Sequence, residues 1–156
     1  MHPGLLLAIA IAATFEPENL KGVTSMRVVV ENVPGADKVG LDPDLVQTEM
    51  ETNLRKAGIK VTQIAGILPY VHLQMNILPL PDGCVVYSVR LSLKTGADIV
   101  GTNRLVMGDL WTEGILRAQC KADKKDMTDV SKVIRQSVID ETNKMLKDIL
   151  IANKQG

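Results

Sequence analysis

The chain has 156 residues, 46% of them hydrophobic, and its 18 lysines and arginines are balanced by 18 aspartates and glutamates. That length suits one domain around one core. A formal charge of zero offers no field of one sign to hold a polyanion, and Phe15, Tyr70, Tyr87 and Trp111 do not sit among basic residues as a base-stacking platform requires, so nucleic acid is excluded as a partner class.

Leu5 to Ala13 is an unbroken apolar run with no charge before Glu16. It is too short to cross a hydrocarbon layer of roughly 30 Å, so no stable membrane span is expected. The run matches the apolar region of a signal peptide, and Ala10-Ile11-Ala12-Ala13 offers the small residues a signal peptidase reads. Cleavage after Ala12 or Ala13 divides the chain into a signal peptide, 1–13, and a single domain, 14–156, which places the protein in the periplasm or outside the cell. No lysine or arginine precedes the run, so the alternatives are a start further upstream or an N-terminal helix buried in the fold. No cysteine lies near the cleavage site to carry a lipid anchor.

Residues 24–33 alternate around Met26, Val28 and Val30 with β-branched residues on both faces, the pattern of a central strand. Pro34 and Gly35 open a loop. Asp42-Pro43-Asp44 then supplies an N-cap acceptor, a proline at the first helical position and an acid in the first turn. The helix should run to Ala57 on a stripe of Leu45, Val46, Met50, Leu54 and Ala57, and Gly58-Ile59 has the chemistry of a Schellman stop.

Ile59, Val61 and Ile64 begin a short strand. Residues 70–78 form a cleaner one, with Val71, Leu73, Met75 and Ile77 on one face and Tyr70, His72, Gln74 and Asn76 on the other. Pro79 to Gly83 is a turn, and residues 84–94 return antiparallel as a hairpin. After a glycine-bearing loop, 95–102, residues 104–118 return again, with Gly108 or Gly114 as the site of a bulge. A charged break at 122–128 precedes Val130, Val133, Ile134, Val138, Met145, Leu146, Ile149 and Leu150 at helical spacing. The polar face of that helix mixes Asp129, Asp140, Glu141 and Asp148 with Lys132, Arg135, Lys144 and Lys147, which favours packing on a sheet over lying on a membrane. The resulting order, β-α-β-β-β-α, reads as an α+β fold: a mostly antiparallel four-stranded sheet, its first two strands parallel, with two helices on one face.

No phosphate-loop, dinucleotide-binding, serine-hydrolase or zinc-protease motif is present. His2 would leave with the signal peptide, and His72 is then the sole imidazole, with no carboxylate nearby in sequence to orient it and too few companions to hold a metal. No enzymatic site, cofactor or metal is therefore expected. The candidate binding surface is the polar sheet face, where Tyr70, His72, Gln74 and Asn76 should lie beside Ser88, Arg90 and Ser92, with a plain solvated face as the competing reading. Trp111 is either a hot spot on that surface or, the favoured reading, a core anchor. Cys84 and Cys120 open and close the long hairpin and would form a disulfide if its turn is centred near residue 102.

Four segments, Leu41 to Leu45, Leu54 to Val61, Tyr87 to Leu93 and Leu110 to Gly114, resemble a loose group of small exported bacterial proteins of unassigned function. The element order is also similar to that of the N-terminal α+β domain of the periplasmic translocation protein TolB. That resemblance implies a protein-interaction module, here without the propeller that follows the domain in TolB. The functional expectation is a protein- or peptide-binding or scaffolding module of the cell envelope, able to form homo-oligomers. The alternative is a small-molecule or lipid carrier with a cavity between helices and sheet, for which seven flexible methionines are permissive.

Overall fold

The computed structural model of the chain describes residues 9–11, 17–64, 69–98, 101–102, 104–120 and 128–154. Six strands, β1 (Ile9–Ile11), β2 (Ser25–Val30), β3 (Lys60–Val61), β4 (Tyr70–Pro79), β5 (Cys84–Asp98) and β6 (Leu105–Cys120), accompany two helices, α1 (Pro43–Lys56) and α2 (Thr128–Lys154). Five strands form a mixed sheet in the order β1-β6-β5-β4-β2, and the two-residue β3 extends the β2 edge. From β2 to α2 the α+β layout is the expected one. The four-stranded count, which leaves the short strand at 59–64 aside, is corrected: β1 adds a strand beyond β6, pairing Ile9 with Leu116 and Ile11 with Gly114. β2 is parallel to both β3 and β4, and the other pairings are antiparallel.

The local signals around α1 act as elementary chemistry requires. Asp42 accepts a hydrogen bond from the Asp44 N–H at 2.9 Å, and Pro43 starts the helix without an N–H to lose. At the other end Gly58 adopts φ 84°, its N–H donates to the Arg55 carbonyl, and the Ile59 N–H donates to Leu54, both at 3.0 Å. Val46, Met50 and Leu54 are buried as the stripe demands, whereas Leu45 is exposed on the shoulder of the helix.

Period-two alternation sorts the sheet into two faces. Leu73, Leu91 and Leu93 look toward the helices and are wholly buried with Met50, Leu54, Met145 and Ile149. α2 lies against β5 and β6 and packs beside α1, so both helices share one face. Its apolar stripe is buried except at Val133, which is half-buried, and Leu150, which is exposed. No helix among the described residues is long and apolar enough to cross a membrane.

Two readings shift at the long hairpin. Residues 95–98 continue β5 rather than forming loop, and the bulge falls between the two expected glycines. Leu93 pairs with Trp111 and Lys94 with Asp109, which leaves Leu110 as the extra residue. At the N-terminus, residues 9–11 are strand rather than the helix considered as an alternative to a signal peptide. The rest of 1–13, its cleavage boundary and most of the charged break at 122–128 lie outside the described residues.

Candidate functional site

The antiparallel register of β4, β5 and β6 stacks the outward side chains in rows: His72 beside Ser92 and Thr112, Gln74 beside Arg90 and Gly114, Asn76 beside Ser88 and Leu116. The expected polar-face residues therefore share one face: Tyr70, His72, Gln74, Asn76, Ser88, Arg90 and Ser92. Trp111 does not join them. It is 3% exposed on the helix side of the sheet, and its indole N–H donates to Asp148 of α2 at 2.9 Å.

A carboxylate orients His72 after all. Glu31, just past the end of β2, lies 2.7 Å from His72 Nε2 through one oxygen and accepts from Gln74 Nε2 at 3.1 Å through the other. The hydrogen bond from Gln74, then that from His72, holds the Glu31 carboxyl below the usual carboxylate range. The network extends sideways: the His72 ring meets Tyr70 edge-on at 6.2 Å, and the Arg27 guanidinium sits 5.6 Å from the centre of the Tyr70 ring. Parity along β2 places residues 27, 29 and 31 on this face, which is the signal that would have found Glu31. The pairing of β2 with β4 was not legible without the fold.

A carboxylate–histidine pair opposite a serine resembles hydrolytic machinery, but the parts are not free to act. Ser92 is 2% exposed, and its hydroxyl is bonded to Thr112 Oγ1 at 2.8 Å. His72 Nδ1 is buried without a hydrogen-bond partner. No group of three or more metal-ligating side chains occurs among the described residues.

The face is concave. A trough of about 460 Å³ runs from Glu31, Asn32 and Pro34 across Gln74, Asn76, Ser88 and Arg90 to Gly114 and Leu116. It shares Pro34, Asn76, Ser88 and Leu116 with a shallower depression of about 270 Å³ over Leu78 and Val86, so its character changes from polar to apolar along β4. Gly114, opposite Arg90, has no side chain to fill the floor. Arg90 is exposed and has no ion-pair partner among the described residues, whereas Lys94 holds Asp109 at 3.1 Å.

Across the hairpin, Cys84 and Cys120 pair directly and are joined in a disulfide, as the expected turn position requires. A second polar cluster, not foreseen from the sequence, lies between β6 and α2. Lys144 donates to Glu141 at 2.8 Å and is 3.6 Å from Glu113, while Tyr87 and Ser137 share a buried hydroxyl contact at 3.1 Å.

No protein-family model matches the chain, and no curated protein matches it. Among solved structures, it is similar to a minor lipoprotein from Acinetobacter baumannii at a TM-score of 0.41 and 11% identity, covering 83% of this chain and 92% of that one. It is also similar to the PelC dodecamer from Paraburkholderia phytofirmans at a TM-score of 0.42 and 14% identity, covering 93% of this chain and 97% of that one.

Proposed function

We propose that the protein is a non-catalytic binding module of the bacterial cell envelope that docks an extended protein or peptide segment in the trough on the outer face of its sheet. The observation that carries this reading is Arg90, an exposed guanidinium with no ion-pair partner among the described residues, beside the trough floor at Gly114 and with the Glu31–Gln74–His72 network on one side. A guanidinium in that position favours a carboxylate, taken bidentately. The apolar end at Leu78, Val86 and Leu116 favours an aliphatic residue further along the same segment. The apolar run at 5–13 and the disulfide support export.

Carriage of a lipid or small molecule is the weaker reading. It needs an apolar space between helices and sheet, yet Leu54, Leu73, Leu91, Met145 and Ile149 are 0% exposed and border no space that admits a water molecule. The test is a displayed random-peptide library panned on the oxidised protein and on its Arg90→Glu variant. Enriched peptides carrying an acidic residue or free C-terminus, with binding weakened about tenfold or more by the charge reversal, would support docking here. Failure to enrich any peptide, or equal binding to the variant, would refute it.

A further inference from the structure

We propose that the trough binds a short peptide of about three residues by both of its charged ends, the ammonium at Glu31 and the carboxylate at Arg90. This rests on the peptide-docking reading above and adds to it the partner's length and the order of its charges. The Glu31 N–H donates to the Leu73 carbonyl at 3.1 Å, which carries the parallel pairing of β2 with β4 one residue past Val30. Glu31 therefore stands beside Gln74, Gln74 pairs with Arg90, and Arg90 pairs with Gly114. One row across the sheet presents a carboxylate, an amide, a guanidinium and a glycine floor in that order.

The two charges of the row are separate and accessible. Arg90 is exposed and makes no ion pair among the described residues, with Glu31 or any other acid. The Glu31 side chain is 48% exposed. Each of its oxygens meets one partner, His72 or Gln74, whereas a carboxylate accepts about four hydrogen bonds, so lone pairs remain for an ammonium. The hydrogen bonds from Gln74 and His72 also hold the carboxyl below its ordinary range, which keeps it charged at neutral pH. Between the charges, Gln74 spends its amide N–H on Glu31 and keeps its carbonyl oxygen for a backbone N–H of the ligand. Lys94, further along β5 on the same face, is occupied by Asp109 at 3.1 Å, so Arg90 is the receptor for the carboxylate.

The spacing selects the length. Glu31 on the β2 side and Arg90 on β5 are separated by β4. Neighbouring strands lie roughly 4.8 Å apart, which sets the two residues roughly 10 Å from each other. An extended chain spans at most roughly 3.5 Å per residue, so about three residues are needed to reach both charges and a free amino acid reaches only one. The trough volume of about 460 Å³ suits a ligand of this size, and the adjoining depression over Leu78 and Val86 takes an aliphatic side chain.

The test is a nuclear magnetic resonance titration of the full-length oxidised protein with the unblocked tripeptide alanyl-leucyl-alanine, up to about 50 mM because so small a ligand binds weakly. The amide signals of Gln74, Arg90 and Gly114 should shift together. N-acetylation or C-amidation of the peptide should each weaken binding about tenfold. Glu31→Gln should weaken the unblocked peptide about tenfold and leave the N-acetylated one unchanged, because the ammonium it would have met is already gone. Arg90→Gln should likewise weaken the unblocked peptide and leave the amidated one unchanged. Equal binding of blocked and unblocked peptides, or an unblocked peptide indifferent to Glu31→Gln, would overturn the proposal. Absence of tripeptide binding would overturn it too, and capture of longer acidic peptides through Arg90 would then leave the docking reading standing without it.

Discussion

Glu113 illustrates how a single side chain can be placed by register and still sit uneasily. It follows Trp111 on the helix-facing side of β6, where Glu141 of α2 is 2% exposed and Lys144 serves both acids. Burial pushes the Glu113 carboxyl above the usual carboxylate range and Glu141 adds to the push, against the pull of Lys144. A group whose proton is held more tightly in the folded state contributes stability that is fully present below the ordinary carboxylate pKa. That contribution is lost as pH rises through the raised value. Near neutrality the charged form is therefore the unfavourable one. Glu113→Gln should raise the melting temperature at pH 7 by about 2 to 4 °C, the shift that ~1 kcal/mol produces in a domain of this size. The gain should shrink toward zero near pH 4, where the native side chain is protonated as well. Thermal melts at the two pH values check this, and an equal or lower melting temperature at pH 7 would contradict the assignment.

At the scale of elements, the hairpin of β5 and β6 depends on a covalent clasp. The Cys84–Cys120 disulfide closes a separation of 36 residues and fixes the strands where they leave the sheet. Replacing both cysteines by serine should lower the unfolding free energy by roughly 3 to 4 kcal/mol on the chain-entropy model, read from urea melts of the two proteins. A loss under about 1 kcal/mol would mean that the long ladder holds its ends without the clasp. How far each element was legible follows from the range of the forces that make it. α1 is specified within its own segment, by Asp42, Pro43 and Gly58, and could be read almost to the residue. The facing of β4 and β5 was legible from alternation. The sheet order was not, because nothing local says that β2 lies between β3 and β4 or that Glu31 ends beside His72. Trp111 shows the same limit: the bulge at Leu110 resets the parity of β6, so alternation counted from the hairpin end assigns the wrong face.

For the molecule as a whole, residues 5–13 invite two incompatible readings. As a signal peptide the run would be removed after Ala12 or Ala13. As β1, its residues Ile9–Ile11 close the sheet against Gly114 to Leu116. Both roles draw on the same property, an uncharged apolar stretch, so composition cannot choose between them. The consequences differ. Removal of β1 would leave Gly114 to Leu116 without the strand partner that retention keeps on that side. The domain without β1 should still fold, because the core side chains described on β2, β4, β5, β6 and the two helices bury one another. We therefore expect protein recovered from an extracytoplasmic fraction to have the mass of a chain starting at Ala13 or Thr14, increased by two hydrogens on reduction. Backbone amides on the outer edge of Gly114 to Leu116 should then exchange with solvent faster in the processed chain than in the unprocessed one, since exchange reports the loss of a strand partner. An unprocessed mass in that fraction, with those amides protected, would assign the N-terminal run to the folded sheet and remove the signal-peptide reading.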